Sequence, residues 1–476
     1  MLFNKIEFAL FFLTTYLLYW FVFSKNLKQQ NLFLLIASFL FFACFDWHFL
    51  FLLLFSITLD FIVAHKIYTS VTNKKNWLWF SIATNLCFLG VFKYYNFFIE
   101  NFSEVFTMLG INHSSWTLKI LLPVGISFYT FHGLSYVIDV YKNKIKPVGN
   151  FIDYSLFVSF FPLLVAGPIE RATHLLPQIQ KTRNFDYNKS VDGLRQILWG
   201  LVKKIVIADN CAYYVNLIFE NPDQYSGSTL VIGAILFSFQ IYGDFSGYSD
   251  IALGTARLLG IELLQNFSFP YFSRDIAEFW RRWHISLSSW FRDYVYIPLG
   301  GSQGSKWETI KNVFLIFLLS GFWHGANWTF IFWGFLHALF FIPLLIANKN
   351  RSNLQFTTSD DLKSSIITFF KIVFTFALVT FAWIFFRSTS LNAAFHYINQ
   401  ILSLSLFTFP EIFPKTVFGY LFLFLLIEWF GRKDFFALQN FGINWKKRYR
   451  ILFYYIITLI IMYFYGKEYQ FLYFQF

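Results

Sequence analysis

A chain of 476 residues with 57% hydrophobic, 24% aromatic and only 13% charged residues has too little polar surface to cover a soluble globule, and its mean hydropathy of +0.51 agrees. The net charge of +12 is dispersed between apolar runs, which argues against a nucleic-acid partner and reads as the orienting charge of a multi-pass membrane protein. The three cysteines, Cys44, Cys87 and Cys211, are scattered and mostly within apolar runs, which argues against a disulfide framework and against a metal-ligand cluster.

Apolar runs at 6–23, 32–45, 49–63 and 77–92 open the chain. The first follows Lys5 and imitates a signal peptide, but it has no small-x-small cleavage site and is read as a retained helix. Further runs follow at 120–137, 156–167, 197–218, 230–241, 313–346, 366–386, 417–429 and 451–465, for about eleven or twelve membrane segments, some too short to cross fully. Basic residues between them, among them Lys74, Lys142, Arg171, the Arg274 to Arg292 group, Arg351 and Arg432, mark cytoplasmic segments, whereas 220–229, with acids and no base, faces outward. No repeat and no linker divides the chain. The fold class is therefore all-α, a polytopic integral membrane helical bundle with interfacial or re-entrant helices, in one domain over residues 1–476.

The polar residues that membrane burial makes expensive concentrate in the middle. Residues 123–141 put His132 and Asp139 on a helix, where His132, like His337, reads as structural. In 237–254, FSFQIYGDFSGYSDIALG, a buried Asp244 or Asp250 needs a partner, an Arg, a His or a cluster of hydroxyls and amides, and is expected to face the same cavity as His324. Residues 273–301, SRDIAEFWRRWHISLSSWFRDYVYIPLGG, space Ile276, Trp280, Trp283, Leu287, Trp290 and Tyr294 as one aromatic stripe of an interfacial helix, ended by Pro298, Gly300 and Gly301. His284 falls at the margin of that stripe and reads either as a second catalytic or substrate-orienting group or as an interfacial residue. Arg281, Arg282 and Arg292 match the phosphates of a nucleotide-like acyl donor, or else lipid head groups.

Residues 312–348 hold no Asp, Glu, Lys or Arg, yet centre on SGFWHGANW. So long a run must bend or pass through twice, with Gly321, Gly325 and Gly334 as the loosened points and His324 directed into an internal cavity. His324 reads as a general base or hydrogen-bond partner for an acyl acceptor; the alternative is a core histidine tying two helices together. Asn327 and Trp328 are candidates to orient the ring or the carbonyl. No P-loop, dinucleotide fingerprint, nucleophile elbow or zinc spacing is present.

The order QIYGDFSGYSDIALGTARLLGI, NFSFPYFSRDIAEFWRRWHISLSSWFRDYVYIPLGG, SGFWHGANWTFIFWG resembles the membrane-bound O-acyltransferase (MBOAT) family over most of 120–345. It is closest to the bacterial branch of alginate and peptidoglycan O-acetyltransferase membrane subunits, with the D-alanyl transfer protein of teichoic acids more distant. The resemblance implies His324 as the essential histidine and His284 as a second, less uniform one, in a helix bundle around a central tunnel. It further implies acetyl-CoA as cytoplasmic donor with no bound cofactor, an SGNH-type extracytoplasmic partner, a polysaccharide acceptor (alginate-like, peptidoglycan or another envelope glycan) and a bacterial plasma (inner) membrane location. Gly243 departs from the bulkier residue expected there and is read as widening the cavity. In GKEYQFLYFQF, Tyr473 resembles an outward acyl relay of the superfamily; the alternative is an interfacial aromatic anchor. The rival class is a polytopic transporter with a pathway through Asp244, Asp250, His284 and His324.

Overall fold

The computed structural model describes residues 1–109, 117–118, 122–165, 167–354, 362–466, 469 and 471–472; Tyr473 lies outside them. Every regular element among the described residues is helical. His48–Thr69, Lys74–Met108, Gly227–Leu258, Trp328–Ile346 and Lys363–Arg387 are long and apolar enough to cross a bilayer, and Ile6–Val22 and Leu27–Ala43 are shorter apolar helices. The chain is a multi-pass, all-helical membrane protein, as its composition requires. It divides into two compact units, Met1–Leu194 with Ala252–Leu264, and Arg195–Ile251 with Gln265–Phe476.

In the first unit the Ile126–Tyr141 helix buries fourteen of its sixteen residues, the mark of a helix enclosed by protein rather than facing lipid. It packs on His48–Thr69 and Lys74–Leu89. Several of the polar groups enclosed here are bonded. Asp60 accepts from Ser81 Oγ at 2.7 Å and Asn85 Nδ2 at 3.0 Å. His132 Nε2 accepts the Glu170 amide at 3.1 Å, and Asp139 pairs with Lys144 at 3.2 Å. His132 thus ties its helix to the 167–170 segment, the structural role read from the sequence.

In the second unit the uncharged run doubles back. Ser305 caps the Lys306–His324 helix, its Oγ accepting from Glu308 N at 3.2 Å while Glu308 Oε2 accepts from Ser305 N at 2.7 Å. At Gly325 the backbone is extended (φ −164°, ψ 153°), and Asn327 caps Trp328–Ile346 by accepting from Thr329 N at 3.0 Å. Each leg has 19 residues, about 28 Å. Of the three glycines expected to loosen the run, only Gly325 lies at the break. Gly321 and Gly334 sit inside unbroken helices, where a Cβ would come within 2.2 Å of the Phe330 and Phe317 carbonyl oxygens respectively. They let two backbones touch, the packing that small residues permit between membrane helices.

The 273–301 element also differs from its pattern. It is Ile276–Arg282, a break at Trp283 and His284, Ile285–Phe291, then a π-type turn at Arg292–Tyr296. The aromatic spacing continues across the break, so periodicity concealed it. Gly300 and Gly301, both at positive φ, end the element as expected.

Candidate active site

His284 stands in the break with left-handed backbone, φ 43° and ψ 54°. For a residue with a Cβ this costs about 1–2 kcal/mol, so the surroundings must impose it. They do so from the 266–268 segment. The Ile285 amide donates to Asn266 O at 2.8 Å, Ser286 Oγ to Asn266 Oδ1 at 2.6 Å, and the Ser268 amide to Arg282 O at 3.0 Å. The imposed turn drives the His284 ring into the protein, 1% exposed, edge-on to Phe245 with ring centroids 4.7 Å apart. Burial holds its pKa well below the usual imidazole range, in the neutral form that can accept a proton.

His324 is the last residue of its helix, at the tip of the hairpin, 4% exposed. Its ring is boxed by Trp323, Trp333 and Phe386 at centroid distances of 4.9, 5.1 and 5.3 Å. Trp323 also meets His284 at 6.0 Å. One indole therefore borders both histidines, which the sequence separates by forty positions. His337, fully buried, accepts from Trp280 Nε1 at 3.3 Å and is part of the wall, as the sequence suggested.

Beside this box lies a cavity of about 800 Å³, within the size range of small-ligand sites. Lys306, Thr309, Val313, Phe317 and Ser320 line it along one face of their helix, a path of about 21 Å at ~1.5 Å per residue. Ser320 is one turn short of His324 on the same face. Arg281, Arg292, Lys306 and Arg351 also line the cavity, and no carboxylate does among the described residues. Arg281 donates to the carbonyls of Asn350 at 2.9 Å and Asn353 at 3.0 Å, while Arg292 is 61% exposed beside Asp293. Burial lowers the pKa of Arg281 against the opposing charges of Asp275 and Glu278, yet a guanidinium remains cationic.

Other expected site residues sit elsewhere. Arg282 turns to Glu278 at 2.8 Å and to Ser268 O at 3.2 Å. Besides capping its helix, Asn327 donates to Thr389 O at 3.0 Å, and Trp328 is 52% exposed. The charged partners of the buried carboxylates are lysines, not the Arg or His expected: Lys204 pairs with Asp244 at 2.7 Å and Asp209 at 2.8 Å, and Lys203 with Asp250 at 3.0 Å and Glu428 at 3.4 Å, while the expected amide is present at Asp250, which accepts from Gln196 Nε2 at 2.9 Å. Asp244 thus belongs to an ion network and not to the lining of the cavity described above. Both lysines ride on a π-type turn, Val202–Ala208, inside the apolar run 197–218, and two adjacent charges in such a run were the signal that sequence reasoning passed over. Gly243 serves the same turn: a Cβ there would meet Lys203 O at 2.8 Å, so the glycine closes a gap and does not widen a cavity.

The profile of MBOAT, the membrane-bound O-acyltransferase family, matches residues 140–387. The probable alginate O-acetylase AlgI of Pseudomonas aeruginosa is 36% identical over 448 residues, 92% of this chain and 82% of that one. The peptidoglycan O-acetyltransferase of Helicobacter pylori is 35% identical over 436 residues, 85% and 80% of the two chains. The teichoic acid D-alanyltransferase of Bacillus subtilis is 30% identical over 274 residues, 55% and 68% of the two. This likeness decides against the transporter class. Both histidines, the indole between them and the basic cavity fall inside the matched span, and the chain belongs to the membrane-bound O-acyltransferase family as an O-acyltransferase enzyme.

Proposed function

We propose that the protein takes acetyl from cytoplasmic acetyl-CoA and passes it across a bacterial plasma (inner) membrane for O-acetylation of an extracytoplasmic polysaccharide. The observation that carries the donor assignment is the cavity: among the described residues four cations and no carboxylate line it, and its lining follows one helix face from Lys306 to Ser320, a turn from His324. Guanidinium and ammonium groups suit the phosphates of a nucleotide-bearing thioester, and an apolar inner lining suits its arm. Alginate-like polymer, peptidoglycan or another envelope glycan is the acceptor class, on the names of the relatives. An SGNH-type partner outside the membrane completes the route.

In the chemical step a hydroxyl oxygen attacks the thioester carbonyl. A C–O bond forms, the C–S bond breaks, the hydroxyl proton passes to His324 as general base, and the coenzyme thiolate leaves and takes a proton. His284, neutral and bordering the same indole, Trp323, as His324, orients the reacting groups. Arg281 and Arg292 bind the donor. Tyr473 supplies one candidate hydroxyl, as an acyl relay toward the outer face, and its hydroxyl is tested by Tyr473→Phe.

The decisive experiment follows label from acetyl-CoA into envelope polysaccharide in membranes carrying the wild-type chain or His324→Ala at matched abundance. Transfer is expected in the first and a loss of about 10²–10⁴-fold in the second, the usual contribution of a general base. Equal transfer in both would remove His324 from the chemistry.

A further inference from the structure

Lys204 and Asp244 form a deeply buried ion pair, with side chains 2% and 3% exposed and 2.7 Å apart. Each also reaches beyond the pair to main-chain atoms near the end of the described chain. Lys204 Nζ donates to the Tyr469 carbonyl at 3.2 Å, and Asp244 Oδ2 accepts the Leu472 amide at 2.8 Å. Between these two contacts Phe471 is fully buried, its ring 4.3 Å from Tyr248 and 6.4 Å from Phe245. Phe245 is the residue that meets His284 edge-on.

A buried ion pair is a poor way to gain stability, because desolvation offsets most of the attraction. This one has a geometry that a purely structural pair does not need: opposite charges directed at a carbonyl and an amide of the same short segment. We propose that Lys204 and Asp244 are positioning residues that clamp the main chain at Tyr469 and Leu472. The clamp lays Phe471 against Phe245 and Tyr248, and through Phe245 it keeps the wall of the His284 site closed. Because both contacts are to backbone atoms, the clamp is indifferent to the side chains at 469 and 472. Its consequence for transfer rests on the histidine centre proposed above; the docking itself does not.

The test uses the full chain in membranes, with Cys44, Cys87 and Cys211 replaced by alanine and Leu472→Cys as a reporter that keeps the amide. Labelling by N-ethylmaleimide is expected to be slow in this parent. It should also be slow in Asp209→Asn, which neutralises the other carboxylate partner of Lys204 and keeps Asp244 in place. In Asp244→Ala, where Asp209 still compensates Lys204, labelling should be faster by about tenfold or more, the fold-change implied by losing one charge-assisted hydrogen bond. Acetyl transfer should fall in Asp244→Ala and be retained in Asp209→Asn. It should also fall in Leu472→Pro, which removes the amide donor together with the leucine side chain, outside any long helix, and leaves the ion pair whole. Slow labelling in Asp244→Ala would overturn the clamp. Fast labelling with undiminished or increased transfer would overturn its positioning role. If the parent itself transfers no acetyl, the proposed function fails while the labelling still decides the clamp.

Discussion

His284 is the residue whose backbone and ring make opposite demands. Its φ of 43° favours a residue such as glycine or asparagine, yet an imidazole occupies the position and points between Phe245 and Trp323. Strain kept at such a point reads as a constraint on where the ring must lie. His284→Asn, which tolerates the left-handed region, is expected to unfold thermally later than His284→Val by about 1–2 kcal/mol, whereas acetyl transfer falls in both. A valine variant as stable as the asparagine one would mean that the backbone relaxes there. Sequence reading found both histidines because ionisable groups are rare in apolar surroundings. It could not find the turn that aims His284, since no glycine marks it.

At the scale of elements, the hairpin of Lys306–His324 and Trp328–Ile346 depends on contact between backbones. Gly334→Ala would place a methyl 2.2 Å from the Phe317 carbonyl oxygen, and such overpacking costs about 1–3 kcal/mol. Gly419, inside the Lys415–Gly431 helix, has nothing within 4 Å of where a Cβ would stand, and Gly419→Ala is expected to gain about 0.5–1 kcal/mol. Thermal unfolding in detergent checks both, and a neutral Gly334→Ala would show that the legs separate at little cost. The helices themselves were legible from apolar run length. Their joints were less so: Gly321 and Gly334 have the same composition signal as Gly325, and only the facing leg distinguishes packing from a break. Lys203 and Lys204 were hidden for a related reason, because a lysine in sequence looks like a loop charge until its carboxylate partners, tens of positions away, are in place.

For the whole molecule, the function proposed above has the cavity couple charge at its lining to chemistry at the hairpin tip. Arg292→Glu and Lys306→Glu are expected to raise KM for acetyl-CoA about three- to tenfold each, with kcat little changed and the salt dependence of KM reduced. A fall in kcat at unchanged KM would place these cations outside donor binding. The histidine centre itself draws on Phe245, Phe267, His284, Trp323, His324, Trp333 and finally Phe386, 62 positions beyond His324. During synthesis at about 5–20 residues per second, the hairpin emerges seconds before the aromatic ring that closes its tip. A nascent chain already carrying both histidines is therefore still without the ring that closes the His324 box, and on the function proposed above the enzyme consumes no donor until most of its length has entered the bilayer.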